Sequence, residues 1–106
     1  MTGRGANKRI HYHDDIITAF KPLNEPMHRS DIIKRVYAIR QARGATLPNK
    51  FEQTVQASFE AYCGQSSLFR KPRNLDLFCW PNGKWEGTWG LNVDKAEGYV
   101  RLRDKE

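Results

Sequence analysis

Leu75-Asp-Leu-Phe-Cys-Trp-Pro-Asn-Gly-Lys-Trp-Glu-Gly-Thr-Trp-Gly-Leu91 is the stretch that decides the fold. Its first six residues are β-prone and dense in aromatic and aliphatic side chains. Pro81-Asn82-Gly83 then supplies turn chemistry, because Gly83, and if necessary Asn82, accepts positive φ. A returning strand is expected from Trp85 or Thr88 to Asn92. Alternation sets Trp89 and Leu91 on one face of it and Thr88, Gly90 and Asn92 on the other. Such a ribbon is half buried, so elements before it must cover one side. Trp89 is expected in the core, and Trp80 or Trp85, nearer the turn, is the candidate for stacking or groove contact.

Working back from the ribbon, residues 49–63 carry Phe51, Val55, Phe59 and Tyr62 on one helical stripe, with Gly64 as the expected stop. The opposite face presents Lys50, Gln53, Gln56 and Ser58, with Thr54 at the border, and reads as polar with little negative charge. A face of that kind suits base edges in a major groove. Before it, residues 31–42 predict a helix capped by Ser30, burying Ile32, Ile33, Val36, Tyr37 and Ile39 and stopped by Gly44. Two prolines make residues 22–29 a connector, with a short extended piece at 27–29. The first helix follows from Tyr12, Ile16 and Phe20 recurring every fourth residue. Asp14 and Asp15 fall where the positive end of its dipole lies.

Outside this frame are a glycine-rich basic arm, residues 1–9, with Gly3, Arg4, Gly5, Lys8 and Arg9, and a charged extension, residues 93–106. Alternation across 99–103 suits an edge strand or a docked extension. The helical and ribbon segments join through a polar connection, 64–74, that holds Arg70, Lys71 and Arg73.

A chain of 106 residues allows one core and one domain, 10–92 here, between arm and extension. Its 18 Lys+Arg against 12 Asp+Glu give a formal net charge of +6, which favours a polyanionic partner. No stretch is apolar and long enough for a membrane helix, and 1–9 lacks the apolar run of a secretory signal, so a cytoplasmic location is expected. Cys63 and Cys79 are then expected to be reduced. With no C-x-x-C or H-x-x-x-H spacing, neither a metal nor another cofactor is expected. Asp14, Asp15, Asp31, Glu60, Asp76 and Glu86 are too scattered to form a nuclease's carboxylate set. No phosphate loop or serine-nucleophile elbow is present, so the chain reads as a binder and not an enzyme.

Three short helices followed by a hairpin, with a proline-rich connector before the second helix, is the order of an α+β winged helix-turn-helix. The run 49–62 with Thr54-Val55-Gln56, then Ser66 and Ser67, Phe69, Asp76-Leu77-Phe78 and Gly87-Thr88-Trp89-Gly90-Leu91, resembles winged-helix modules attached to bacterial restriction-type nucleases. The related HARE-HTH group has a similar layout. The resemblance implies that the Asp-Leu-Phe and Trp-Gly-Leu segments form the hairpin and that the helix before it reads double-stranded DNA. The chain departs from that pattern in its long wing, 81–87, and in carrying no recognisable nuclease domain, which leaves open whether it only binds DNA or cuts it through a partner.

The expected DNA contacts are Lys50, Gln53, Thr54 and Gln56 on the helix, Arg70, Lys71, Arg73 and Lys84 on flanking phosphates, and Trp85 at the wing. A homodimer or a nuclease is a further candidate partner. The alternative is a winged helix that meets another protein through an apolar Trp80–Trp85 wing and makes no DNA contact. A third reading is single-strand or RNA binding by exposed aromatics.

Overall fold

The computed structural model describes residues 11–105; the basic arm, and the side chain of Trp85, lie outside the described residues. The elements are α1 (Tyr12–Phe20), β1 (Met27–His28), α2 (Arg29–Ala42), α3 (Phe51–Ala61), β2 (Phe78–Cys79), β3 (Thr88–Leu91) and α4 (Val93–Lys105), in an α+β arrangement. The sheet is antiparallel in the order β1-β3-β2, with Met27 opposite Trp89 and Phe78 opposite Leu91.

The expected first helix and the short extended piece after it are both present. The connector ends in β1, and the backbone N–H of Arg29 donates to Gly87 O at 2.8 Å, which ties the start of α2 to the returning strand. Helix α2 starts two residues earlier than expected. His28, not Ser30, is its cap: His28 Nδ1 accepts the Ser30 backbone N–H at 3.1 Å and lies 2.9 Å from Ser30 Oγ. Ser30 is therefore satisfied by the residue that replaces it as cap. Gly44 does take the left-handed conformation, at φ 81°.

The core is the apolar stripe of each helix closed by the ribbon. Ile16, Phe20, Ile32, Val36, Val55, Phe59, Leu77 and Phe78 are fully buried. Phe59 of α3 sits at the centre, its ring stacked on Trp89 at 4.0 Å between centroids and on Phe78 at 5.1 Å. Of the two tryptophans offered as alternatives for exposure, Trp80 is buried, 6.1 Å from the same ring: the Phe59 surface claims it. Tyr37 departs the other way, 43% exposed against the expectation of burial, with its ring T-shaped to Phe51.

The ribbon is shorter as a ladder than its composition suggests. Residues Arg73–Leu75 form a 3-10 turn, and the Leu77 and Phe78 N–H groups both donate to Tyr62 O, so the end of α3 takes donors that a longer strand would have used. Gly90 is obligatory where β2 and β3 face each other: a Cβ there would lie 2.8 Å from both Cys79 Sγ and Pro81 Cγ. Gly64 is not the left-handed stop expected after α3. Its N–H donates to Asp76 Oδ1 at 2.7 Å, and a Cβ would fall 2.5 Å from Asp76 Oδ2, so what it provides is close approach.

The largest correction is α4, a fourth helix where three were expected. The sequence pattern of 93–106 suits a charged extension, with 99–103 as an edge strand or a docked segment; Val93–Lys105 does dock, but as a helix. Ala96 is buried, with Tyr99 and Val100 packed against the core, so the chain follows a three-to-four-residue period that Gly98 and the many charges obscured.

Candidate nucleic-acid interface

Helix α3 owes its place to Phe51, Val55 and Phe59, and this fixes which of its residues face outward. Gln53 is exposed, and Thr54 and Gln56 are half-buried. Lys50, the residue before the helix, is exposed. Two of these polar groups are already engaged. Thr54 Oγ1 donates to Lys50 O at 3.0 Å, a local back-bond. Gln56 Nε2 donates to Glu60 Oε2 at 3.3 Å, and Ser66 Oγ donates to the other oxygen of that carboxylate at 3.1 Å.

The expectation of a face with little negative charge is corrected here. Glu52 is exposed and Glu60 half-buried on the same helix, so α3 carries two carboxylates against the one cation at its start. A groove of about 350 Å³ runs between α3 and the wing, lined by Gln56 and Glu60 from the helix and by Arg29, Lys84 and Glu86 opposite. Two cations and two carboxylates line it, which makes it a polar cleft of near-balanced charge. Lys84 Nζ lies 5.8 Å from the Trp80 ring, at the edge of cation–π range.

The structure thus brings Gln56 and Lys84 into one groove, with Gln53 one helical turn earlier. Gln53 also lines a groove of about 700 Å³ between α2 and α3, together with Tyr37, Phe51 and Glu52. Arg70, Lys71 and Arg73 line neither groove. Lys71 Nζ sits 4.8 Å over the Tyr62 ring, and Arg70 Nη1 donates to Ser67 O and Phe69 O. Arg73 opens the 3-10 turn that packs beside α4. The Trp85 side chain is outside the described residues.

Sequence reading missed a polar cluster where α1, α3 and α4 meet. His13 Nε2 lies 2.9 Å from Tyr99 Oη, the Tyr99 hydroxyl donates to Asp14 Oδ1 at 2.6 Å, and Arg103 Nη1 reaches the same oxygen at 2.9 Å. Because the tyrosine gives its proton to the carboxylate, it accepts from His13, which fixes the Nε2–H form of a neutral imidazole. His13 also stacks on Tyr62 at 4.1 Å.

Burial is the main cause that pushes His13 down to about 4, aided by His11, Lys71 and Arg103 and opposed by Asp14. Burial alone would raise the Asp14 carboxyl, but the Tyr99 and Arg103 hydrogen bonds outweigh it and hold it below its ordinary value. The Tyr99 hydroxyl is pushed up by burial and by its bond to Asp14. Each group is spent on another of the set, so the cluster's evident work is to hold α4 on α1. The signal available in the sequence was the spacing of Tyr99 and Arg103, one helical turn apart.

Cys63 and Cys79 are both free thiols, each raised by burial, Cys63 to about 11. No helix among the described residues is long and apolar enough to cross a membrane. No family model matches the chain, and neither the curated proteins nor the solved structures contain one significantly similar to it.

Proposed function

We propose that the chain is a winged helix-turn-helix module that binds duplex DNA, with α3 as the major-groove reader and the wing, residues 81–87, on adjacent backbone. The observation that carries this reading is topological. A strand between the first two helices pairs with the last strand of a hairpin that follows the third helix, giving the order β1-β3-β2, and α3 lies against that hairpin through Phe59. This arrangement presents the outward side of α3 beside the wing, as helix-in-groove recognition requires. The formal net charge of +6 supplies the general attraction to phosphate. On this reading the chain binds without catalysing, and it is related to the restriction-associated and HARE-HTH modules that its Asp-Leu-Phe and Trp-Gly-Leu segments resemble.

Lys50, Gln53 and Gln56 supply the base-edge contacts and Lys84 a phosphate contact. Glu60 orients Gln56, while Glu52 opposes phosphate. The protein-binding alternative through the wing is weaker, because Trp80, half of its apolar anchor, is buried.

Fluorescence anisotropy with a labelled duplex across a salt series tests the proposal. Binding should fall steeply with salt, and Lys50→Glu combined with Gln53→Ala should weaken it far more than Lys105→Glu. Glu52→Lys should tighten it and steepen the salt dependence by about one counterion. No binding at low salt, or better competition by single strands than by duplex, overturns the proposal.

A further inference from the structure

We propose that the outer face of α4 docks an acidic amphipathic helix of another protein. This goes beyond DNA binding by α3 and does not depend on it. The inner face of α4 is committed to the chain itself, through Ala96, Tyr99, Val100 and Arg103. The outer face lines a groove of about 420 Å³ with Asn74 on its far side. Two features of that groove, and two of its three cations, have no use within the fold.

Leu102 projects into it 58% exposed, among the most exposed large apolar side chains described. Gly98 forms part of its floor, in the interior of a 13-residue helix. Glycine there weakens a helix more than any residue but proline, yet a Cβ at Gly98 would meet nothing within 4 Å. No internal packing therefore asks for a glycine; an approaching backbone would. Lys95, Arg101 and Lys105 rim the groove against the single carboxylate of Asp94. Among the described residues, Arg101 and Lys105 have no carboxylate within ion-pair distance, whereas Lys95 stands 3.8 Å from Asp76.

These features select the occupant. An apolar side chain can enter over Gly98 against Leu102, and acidic side chains a turn away on the same helix meet Arg101, Lys105 and Lys95. A phosphate backbone would have no use for Leu102. A second copy of α4 crossing antiparallel at Gly98 would set Arg101 of each helix against Lys95 of the other.

A displayed library of random peptides of about 16 residues, enough for some four helical turns, is selected against the full chain. The enriched peptides should be rich in Asp and Glu with aliphatic residues three and four apart. They should bind at least tenfold more weakly to Arg101→Glu/Lys105→Glu and to Gly98→Gln. The glutamine variant should also melt at a higher temperature than the parent, so its loss of binding is not a loss of fold. The proposal is overturned by no enrichment, by peptides without acidic bias, or by binding that the variants leave unchanged. It is equally overturned by a dimer that the same variants disrupt, or by duplex DNA that protects the α4 amides from exchange. Loss of duplex binding in the anisotropy experiment leaves these outcomes separate.

Discussion

Asp14 and Asp15 are neighbours of the same type in the first turn of α1, both buried, and they hold different parts of the molecule by different chemistry. One helical residue turns the side chain by about 100°, so Asp15 faces α2 and Asp14 faces α4. Asp15 accepts from two arginines directly, Arg40 of α2 at 2.9 Å and Arg43, the residue that caps its end, at 2.7 Å, and Arg40 also lies 3.8 Å over the Tyr12 ring. Asp14 reaches α4 through a tyrosine as well as an arginine, and behind that tyrosine stands a buried histidine. The first contact is an ion pair with no histidine in it. The second includes a group that takes up a proton in mild acid. Two adjacent carboxylates thus divide the molecule into a fixed contact and a titratable one.

Removing the fixed contact should have the largest effect. The Asp15 side chain is only 3% exposed, and Asp15→Ala leaves two arginine charges facing its place. A loss of about 3 kcal/mol is expected, the range for breaking a buried pair from one side, read as a lower urea midpoint at unchanged slope. A loss under about 1 kcal/mol would mean that the arginines find water at little cost, and the contrast with Asp14 would fail.

Acid should act next most strongly, and on the α4 side. The unfolded chain protonates His13 near the ordinary value of 6.5, whereas the folded chain does so near 4. Across that window the unfolded state holds the extra proton, so stability present above pH 6.5 is lost as pH falls towards 4, by roughly 2–3 kcal/mol. His13→Phe keeps a ring on Tyr62 without the titration and should flatten the dependence in this window. Asp14, held low, adds its own loss only in stronger acid. A parent and a variant with the same pH profile would remove His13 from the account.

Tyr99→Phe separates the two contacts more finely. It deletes the hydroxyl that donates to Asp14 and should cost about 1–2 kcal/mol. Hydrogen exchange should show faster opening of α4 while α2, held by Asp15, keeps its protection. Equal loosening of both helices would mean that α1 transmits the damage and that the contacts are not independent.

Much of this was legible in the sequence and the pairings were not. The period of Tyr12, Ile16 and Phe20, the prolines of the connector and the Trp-Gly-Leu strand each specify a local shape, and those elements are where the residues indicated. Asp14 and Asp15 were legible only as acids suited to a helix start, because their partners stand 85 to 89 and 25 to 28 residues away. Helix α4 was obscured because its buried stripe is thin, Ala96 with Tyr99 and Val100, and because Gly98 interrupts it for no reason internal to the chain. At the candidate interface, the polar outer face of α3 was legible. Its local use of Thr54 and Gln56 was not, since that depends on which rotamer finds a neighbour.

The smallest expected effect tests how far the titratable contact reaches. Lys71, a cation expected on phosphate, stands over the Tyr62 ring that stacks on His13, and its charge helps keep the imidazole neutral. Lys71→Gln should therefore raise the His13 value slightly, because one positive charge that disfavours the imidazolium is gone, with folding nearly unchanged. NMR titration of the His13 ring protons reads this directly. Phosphate laid against Lys71 removes the same positive field, so a duplex that reaches the 70–73 connector should raise His13 in the parent and not in the variant. A duplex confined to α3 and the wing should leave it where it is. The histidine that marks the α4 contact then also reports whether the connector arginines and lysine belong to the DNA surface or only to the fold beside it.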